Sequence, residues 1–349
     1  MNTFPLRVLV VDDSTFMRHL ICELLGMDSD ISVVGVASDG EEAVHLTRRL
    51  RPDLVIMDVN MPKMNGLQAI AWLMTHQPTA ILVLTEMERA KLAMRAIQLG
   101  AMDVMSKSEL DLDRAEAFLE KVKILGRGQV IAPVQHQGVP NLSFPPPIIK
   151  GASEHVGRMV GIAASTGGPQ TLARLLSGLP REFPYPIVVA QHISEEFVDD
   201  FSAWLQTTTS LIVKVGKDEP IVPGTVYISP AHRNLLVGSE KFLTLDSTMM
   251  NTLFRPDCDA ILASMARVFG WRSIGIILTG MGCNGVKGME QIHKIGGYTM
   301  AQDHASSIVF GMPGEAITQQ VVDVVASPEE ICGILCNLTR TTRVNQPLL

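Results

Sequence analysis

Ser165 ends an apolar run in VGIAASTGGPQ (160–170), and Thr166, Gly167, Gly168 and Pro169 follow it. A serine in that place can be a nucleophile held at the tip of a tight turn. The turn can instead cradle a phosphate through its backbone N–H groups, or the serine can simply cap a helix. Two other segments share the setting. His192 follows IVVAQ (187–191), and TGMGCNG (279–285) follows SIGIIL (273–278). The three together supply a nucleophile, a base and backbone donors. A phosphate cradle would account for the glycines and leave His192 idle, and TGMGCNG lacks the Lys-Ser/Thr of a P-loop.

A second constellation lies nearer the N-terminus. Asp12 and Asp13 close the run RVLVV (7–11), and Asp58 closes DLVIM (53–57). Thr85 closes ILVL (81–84), and Lys107 comes just after MDVM (102–105). Three carboxylates at neighbouring strand ends call for a cation, and an oxygen-only ligand set suits Mg²⁺. A hydroxyl and an ammonium in the same pocket are what an acyl phosphate on one aspartate requires. A lone aspartate at a strand end is usually a helix cap; five residues at matching strand ends make that reading hard to sustain.

The elements that must position these residues follow from periodicity. Over residues 1–123, short apolar or β-branched runs alternate with helix patterns. In the first helix Met17, Leu20, Ile21, Leu24 and Leu25 share one face, with Ser14 placed to cap its start and Gly26 its end. Five such βα units imply a parallel sheet covered on both faces, with its site at the carboxyl ends of the strands. Residues 124–155 carry three consecutive prolines and scattered Gly, Gln and Ser, the composition of a linker. From 156 to 349 the alternation resumes. Strands are predicted at 159–164, 187–191, 211–215, 225–229, 274–278 and 298–301. Helices are predicted near 169–177, 195–206, 257–269, 285–295 and 327–338. Ser327, Pro328 and Glu330 open the last of these as a capping box.

The 349 residues are 46 % hydrophobic and 19 % charged, enough for two ordinary cores. The formal net charge is −7 without a basic stripe, which argues against a nucleic-acid partner. The N-terminal stretch has no signal-peptide pattern, and no run is long enough to span a bilayer, so no membrane insertion and a cytoplasmic location are expected. The five cysteines have no metal-type spacing and read as free thiols.

The N-terminal set resembles the receiver domain of two-component response regulators. The matching residues are VVDDS (10–14), MDVNMPKMNG (57–66), Thr85, and Lys107 after GAMDVMS. The resemblance implies a CheY-like (βα)₅ receiver with Asp58 as phosphoacceptor, and Thr85 and Lys107 contacting the phosphoryl group. Asp12, Asp13, Asp58 and the carbonyl of Asn60 would hold Mg²⁺. Ser108 stands where proline is usual, and Val104 where many receivers carry an aromatic. The C-terminal set is similar to the catalytic domain of the CheB family, chemotaxis response regulators that are protein-glutamate methylesterases. The residues are ASTGGP around Ser165, QH (191–192), RP (255–256), LTGMG (278–282) and AQDHASSIVFGMPGEA (301–316). The receiver, linker and catalytic order is that family's layout. It implies a doubly wound, mostly parallel α/β methylesterase domain that needs no cofactor. Ser165 would be the nucleophile and His192 the base, with backbone N–H groups, including that of Met281, at the oxyanion. It also implies methyl-accepting chemotaxis receptors as substrates, deamidation of receptor glutamines, and a chemotaxis histidine kinase as phosphodonor.

One residue departs from the family pattern LTGMGxDG: Asn284 occupies the place of the third catalytic group, an aspartate. An asparagine carbonyl can accept the histidine proton but brings no charge, and a turned amide would impose the wrong tautomer. In serine proteases the same exchange costs ~10⁴ in kcat. Three outcomes follow. The chain is a weakened esterase, helped by another acid such as Asp303 or Asp259. Or it is catalytically disabled and acts through phosphoryl transfer and protein binding. Or Asn284, followed by unhindered Gly285, deamidates in place.

Overall fold

The structure, a computed structural model, describes residues 4–86, 90–130, 157–239, 242–246 and 256–340. The chain forms two compact units, one on each side of the boundary at residue 135.

The first unit runs β1 (Leu6–Val11), α1 (Thr15–Gly26), β2 (Ile31–Ala37), α2 (Gly40–Leu50), β3 (Leu54–Asp58), α3 (Gly66–His76), β4 (Ala80–Thr85), α4 (Ala90–Leu99), β5 (Asp103–Ser106) and α5 (Ala115–Arg127). The strands pair in parallel in the order β2-β1-β3-β4-β5. Val8, Leu9, Val10, Leu54, Val55, Ile56, Ile81, Leu82 and Val83 are fully buried, as strands covered on both faces must be. Ser14 caps α1 by accepting from the Met17 N–H, and Ile21, Leu24 and Leu25 form its buried stripe. Gly26 is the last helical residue, and Met27, in an ordinary right-handed conformation, takes the cap expected of the glycine.

Of the expected linker, only residues 124–130 are described. Helix α5 runs on to Arg127, past the boundary drawn at 123. Its last turn has packing to do: Leu125 is buried, and a Cβ on Gly126 would stand 2.6 Å from Leu6 Cδ1 of β1.

The second unit runs β6 (Met159–Ala164), α6 (Gly168–Ser177), β7 (Ile187–Gln191), α7 (Glu195–Thr208), β8 (Ile212–Val215), β9 (Glu219–Pro220), β10 (Thr225–Ile228), β11 (Leu235–Ser239), β12 (Phe242–Leu245), α8 (Cys258–Phe269), β13 (Ser273–Ile277), α9 (Val286–Lys294), β14 (Tyr298–Gln302), α10 (Met312–Thr318), β15 (Val324–Ala326) and α11 (Pro328–Arg340). Its main sheet is parallel in the order β15-β14-β13-β6-β7-β10-β8. The first strand of the unit, β6, therefore lies inside the sheet, with β7 on one side and β13 on the other. That is the switch point at which the helices cross to opposite faces.

The antiparallel sheet β11-β12-β9, the edge strand β15 and the short α10 carry no clear periodic signal. They are too brief, and their order comes from contact. The β11 backbone N–H of Val237 donates to Ser264 Oγ of α8 (2.9 Å), and Val237 and Leu243 join the α8 core.

Candidate active site

In the second unit the three sequence segments arrive at one place. Register pairs Ala164 with Gln191 and Ala163 with Ile277, so Ser165, His192 and the loop after β13 emerge from adjacent strand ends. Backbone bonds tie them further. The Ser165 N–H donates to Thr279 O (3.0 Å) and the His192 N–H to Ala164 O (3.0 Å). Gln191, buried, donates from Nε2 to Ser165 O (2.8 Å) and His192 O (2.9 Å), holding both chains at the turn. Gly167 adopts φ 77°, a left-handed turn that a side chain would strain, and starts α6 two residues after the serine. A Cβ on Gly280 would lie 2.7 Å from Ser165 Cβ, so the glycine lets the 279–285 loop pass against the serine, with Met281 next in line.

The loop is no phosphate cradle. Three of its N–H groups already point inward: Thr279 to Gln302 Oε1 (2.7 Å), Gly280 to Val309 O (3.1 Å) and Gly285 to Asp259 Oδ1 (2.9 Å). A carboxylate held in the loop would repel an anion. The Gly168 N–H is likewise engaged by Ser165 O (2.7 Å) and is not a donor toward substrate.

His192 Nε2 lies 3.0 Å from Asn284 Oδ1. A carbonyl oxygen only accepts, so Nε2 carries the proton and Nδ1 is the acceptor nitrogen of the neutral ring. The amide cannot be turned over. Its Oδ1 also accepts from the Cys258 N–H (2.8 Å), while its Nδ2 donates to Asp257 Oδ1 (2.8 Å) and Asp259 Oδ2 (3.3 Å). Exchanging oxygen and nitrogen would set NH₂ against two donors and the carbonyl against two carboxylates. Asn284 is buried. Burial raises the Asp259 carboxyl, the Gly288 and Gly285 N–H groups oppose that rise, and the neighbouring Asp257 adds to it. Cys258 Sγ lies 3.5 Å from His192 Nε2, and burial together with Asp259 and Asp257 pushes this thiol well above its ordinary range.

Asp257 and Cys258 escaped the sequence reading; an acidic pair at the start of a helix looks like capping, and Asp257 does cap α8. Of the helper acids considered, Asp259 reaches the site, but through Asn284 and not His192. Asp303 instead closes its own turn by accepting from the Ser306 N–H (2.9 Å). Arg255 lies outside the described residues.

In the first unit the expected residues also converge. Lys107 Nζ lies 2.7 Å from Asp12 Oδ2 and 3.1 Å from Asp58 Oδ2. Asp12, Asp13 and Asp58 each offer an oxygen, all within 4.8 Å of one another. Burial raises the Asp58 carboxyl; Lys107 opposes this and Asp12 adds to it. Burial would lower the Lys107 ammonium, but its hydrogen bond to Asp12 and the charges of Asp58 and Asp12 raise it on balance. Thr85 Oγ1 is buried and makes no hydrogen bond among the described residues. Asn60 follows Asp58 by two residues at the same strand end. This donor set fits a divalent cation: three carboxylates oppose one ammonium, and a hydroxyl waits without a partner.

Comparison with known proteins gives a family for each unit. The response regulator receiver domain family matches residues 8–118, and the CheB methylesterase family matches residues 160–335. A protein-glutamate methylesterase/protein-glutamine glutaminase of Paramagnetospirillum magneticum is 38 % identical over 95 % of this chain and 96 % of its own. One from Myxococcus xanthus is 39 % identical over 94 % and 96 %. The crystal structure of the Thermotoga maritima CheB methylesterase catalytic domain is similar at 36 % identity and a TM-score of 0.50, covering 52 % of this chain and 98 % of that one. Among the described residues no helix is long and apolar enough to cross a membrane. With a receiver ahead of a serine-histidine turn at the switch point, and relatives alike from end to end, the chain belongs to the CheB methylesterase family.

Proposed function

We propose that this protein is a phosphorylation-regulated protein-glutamate methylesterase that acts on chemoreceptors in the cytoplasm and also deamidates receptor glutamines. The domain plan is a receiver that closes with α5 at Arg127, a linker from there to 155 and the esterase at 156–349. The observation that carries the reading is the His192 Nε2 to Asn284 Oδ1 bond of 3.0 Å, one strand away from Ser165.

Ser165 Oγ attacks the ester carbonyl as His192 Nδ1 takes its proton, forming the C–O bond to the enzyme. The Met281 N–H faces the oxyanion. The tetrahedral species collapses, His192 returns the proton to the methoxy oxygen, and methanol leaves. Water, deprotonated by the same nitrogen, then frees the glutamate and restores Ser165. Asn284 holds the ring in the required tautomer. A glutamine side chain follows the same route with ammonia as the poorer leaving group, so deamidation is the slower reaction.

In the receiver, Asp58 accepts the phosphoryl group from a chemotaxis histidine kinase. Lys107 and Thr85 Oγ1 contact its oxygens. Asp12, Asp13, Asp58 and Asn60 would hold Mg²⁺, which would neutralise the charge building on those oxygens.

The test is methanol release from membranes carrying methylated receptors, with a small-molecule phosphodonor present. Native protein should exceed Ser165→Ala and His192→Gln by ~10³-fold or more. Native release equal to that of Ser165→Ala would overturn the esterase reading. Function would then rest with the receiver, for instance in competition for the kinase's phosphoryl group.

A further inference from the structure

The residues that surround Asn284 occupy both ends of its amide. The start of α8, Asp257-Cys258-Asp259, wraps the amide on every polar edge. The Cys258 N–H meets its carbonyl at 2.8 Å, and the carboxylates of Asp257 and Asp259 meet its NH₂ at 2.8 and 3.3 Å. Asp257 is itself anchored, with its N–H donating to Asn234 Oδ1 (2.7 Å) and its Oδ1 accepting from the Asp259 N–H (3.0 Å). Asp259 Oδ1 accepts from the Gly285 and Gly288 N–H groups, both at 2.9 Å, which ties α8 to the loop that bears Asn284.

We propose that Asp257, with Asp259 in support, is a positioning residue of the esterase. It clamps the Asn284 amide so that only the carbonyl faces His192, and it keeps a carboxylate charge on the His192–Asn284 axis, one side chain farther out. The assignment rests on reading Ser165 and His192 as the esterase pair. The arrangement is a chain: ring N–H to amide carbonyl, amide NH₂ to carboxylate. The clamp removes the main hazard of an asparagine here, a turned amide that would leave Nδ1 protonated and useless as a base. The outlying charge still favours the imidazolium that forms when Ser165 loses its proton, with less force than a direct contact. Among the described residues, the other titratable groups facing this network are the Cys258 thiol and, on α9, Lys287, whose charge acts on Asp259.

This wiring predicts an unusual result for the restoring substitution. Asn284→Asp would set a third carboxylate against Asp257 and Asp259, and like charges at that distance keep one of them protonated. The family's charge is regained only if a negative charge is removed at 257. The double variant Asp257→Asn, Asn284→Asp does that and keeps the hydrogen-bond partners.

Two measurements test the clamp. The first is methanol release as a function of pH for native protein, Asp257→Ala, Asp257→Asn, Asn284→Asp and the double variant. Asp257→Ala should lose roughly 10- to 100-fold in kcat with little change in KM. Asp257→Asn retains an acceptor for the Asn284 NH₂ and should keep more rate. Its acidic limb should move to lower pH, because the imidazolium loses a favourable charge. The double variant should exceed Asn284→Asp. Native rate and limb in Asp257→Ala, or full stimulation by Asn284→Asp alone, would overturn the proposal. The second measurement is the ¹⁵N spectrum of the His192 ring in the Ser165→Ala protein, which needs no turnover. Neutral His192 should be the Nε2–H tautomer, and adding Asp257→Ala should give a mixture. A spectrum unchanged by Asp257→Ala would overturn the clamp, even if methanol release had already ruled out the esterase.

Discussion

At the residue scale, Asn284 and Asp58 show how far surroundings redefine a side chain. Asn-Gly is the sequence most prone to deamidation, because the following N–H attacks the amide. Here the Gly285 N–H is held by Asp259 Oδ1 at 2.9 Å, and the amide it would attack is fixed on both sides. Peptide mapping of aged folded protein should therefore find Asn at 284, and conversion should begin only when the protein is unfolded. Asp58 has the opposite character. Burial lifts its carboxyl above the ordinary range, beyond what Lys107 offsets. A raised carboxyl contributes stability that is present below the unfolded pKa, near 3.9 for aspartate, and is lost as pH rises through the folded value. Without divalent metal, Asp58→Asn should therefore make the first unit more stable than native at neutral pH. The advantage should fade on acidification. Thermal unfolding followed from about pH 4 to pH 8 reads both.

At the element scale, helix starts and helix contacts set the precision of the site. Ser327 and Glu330 bond reciprocally at the start of α11: Ser327 N–H to Glu330 Oε2 at 2.8 Å and Glu330 N–H to Ser327 Oγ at 3.3 Å. Ser327→Ala should cost about 1 kcal/mol, read by denaturant unfolding, and leave methanol release unchanged. Gly288 lies in a more sensitive place. A Cβ there would stand 2.6 Å from Leu262 Cβ and 3.0 Å from Asp259 O, so α8 and α9 meet across it. Gly288→Ala should cost about 1–3 kcal/mol. It should also lower kcat by more than that stability loss explains, because moving the start of α8 moves the carboxylates that hold Asn284. A variant that is destabilised yet has native kcat below its unfolding temperature would show that α8 does not set the geometry.

At the scale of the whole molecule, two compact units each carry their own parallel sheet and core. Calorimetry should resolve two unfolding transitions. Mg²⁺ should raise the one that contains Asp58, by about 2.7 kcal/mol at a hundredfold excess over its dissociation constant. Asp58→Asn should abolish that rise and also the stimulation of methanol release by a phosphodonor. A single transition insensitive to Mg²⁺ would argue against both the division and the metal site.

Most of the fold was legible because the chemistry lies at the ends of strongly apolar strands. RVLVV, DLVIM, VGIAA and IVVAQ each stop at a polar residue, and parallel strands must end together. The sequence alone therefore determined the two α/β domains and the grouping of Asp12, Asp58 and Lys107. It also put Ser165 and His192 at the ends of two strands that prove to be neighbours. The short strands β9, β11 and β12 were not legible, because they are too brief to carry a pattern of their own, and β11 and β12 pack Val237 and Leu243 into the core beneath α8. Only the tertiary structure decided what Asn284 does. Its amide has no intrinsic direction. The direction comes from an N–H and two carboxylates on α8, more than twenty residues away in sequence, brought within hydrogen-bond reach by helix packing across Gly288.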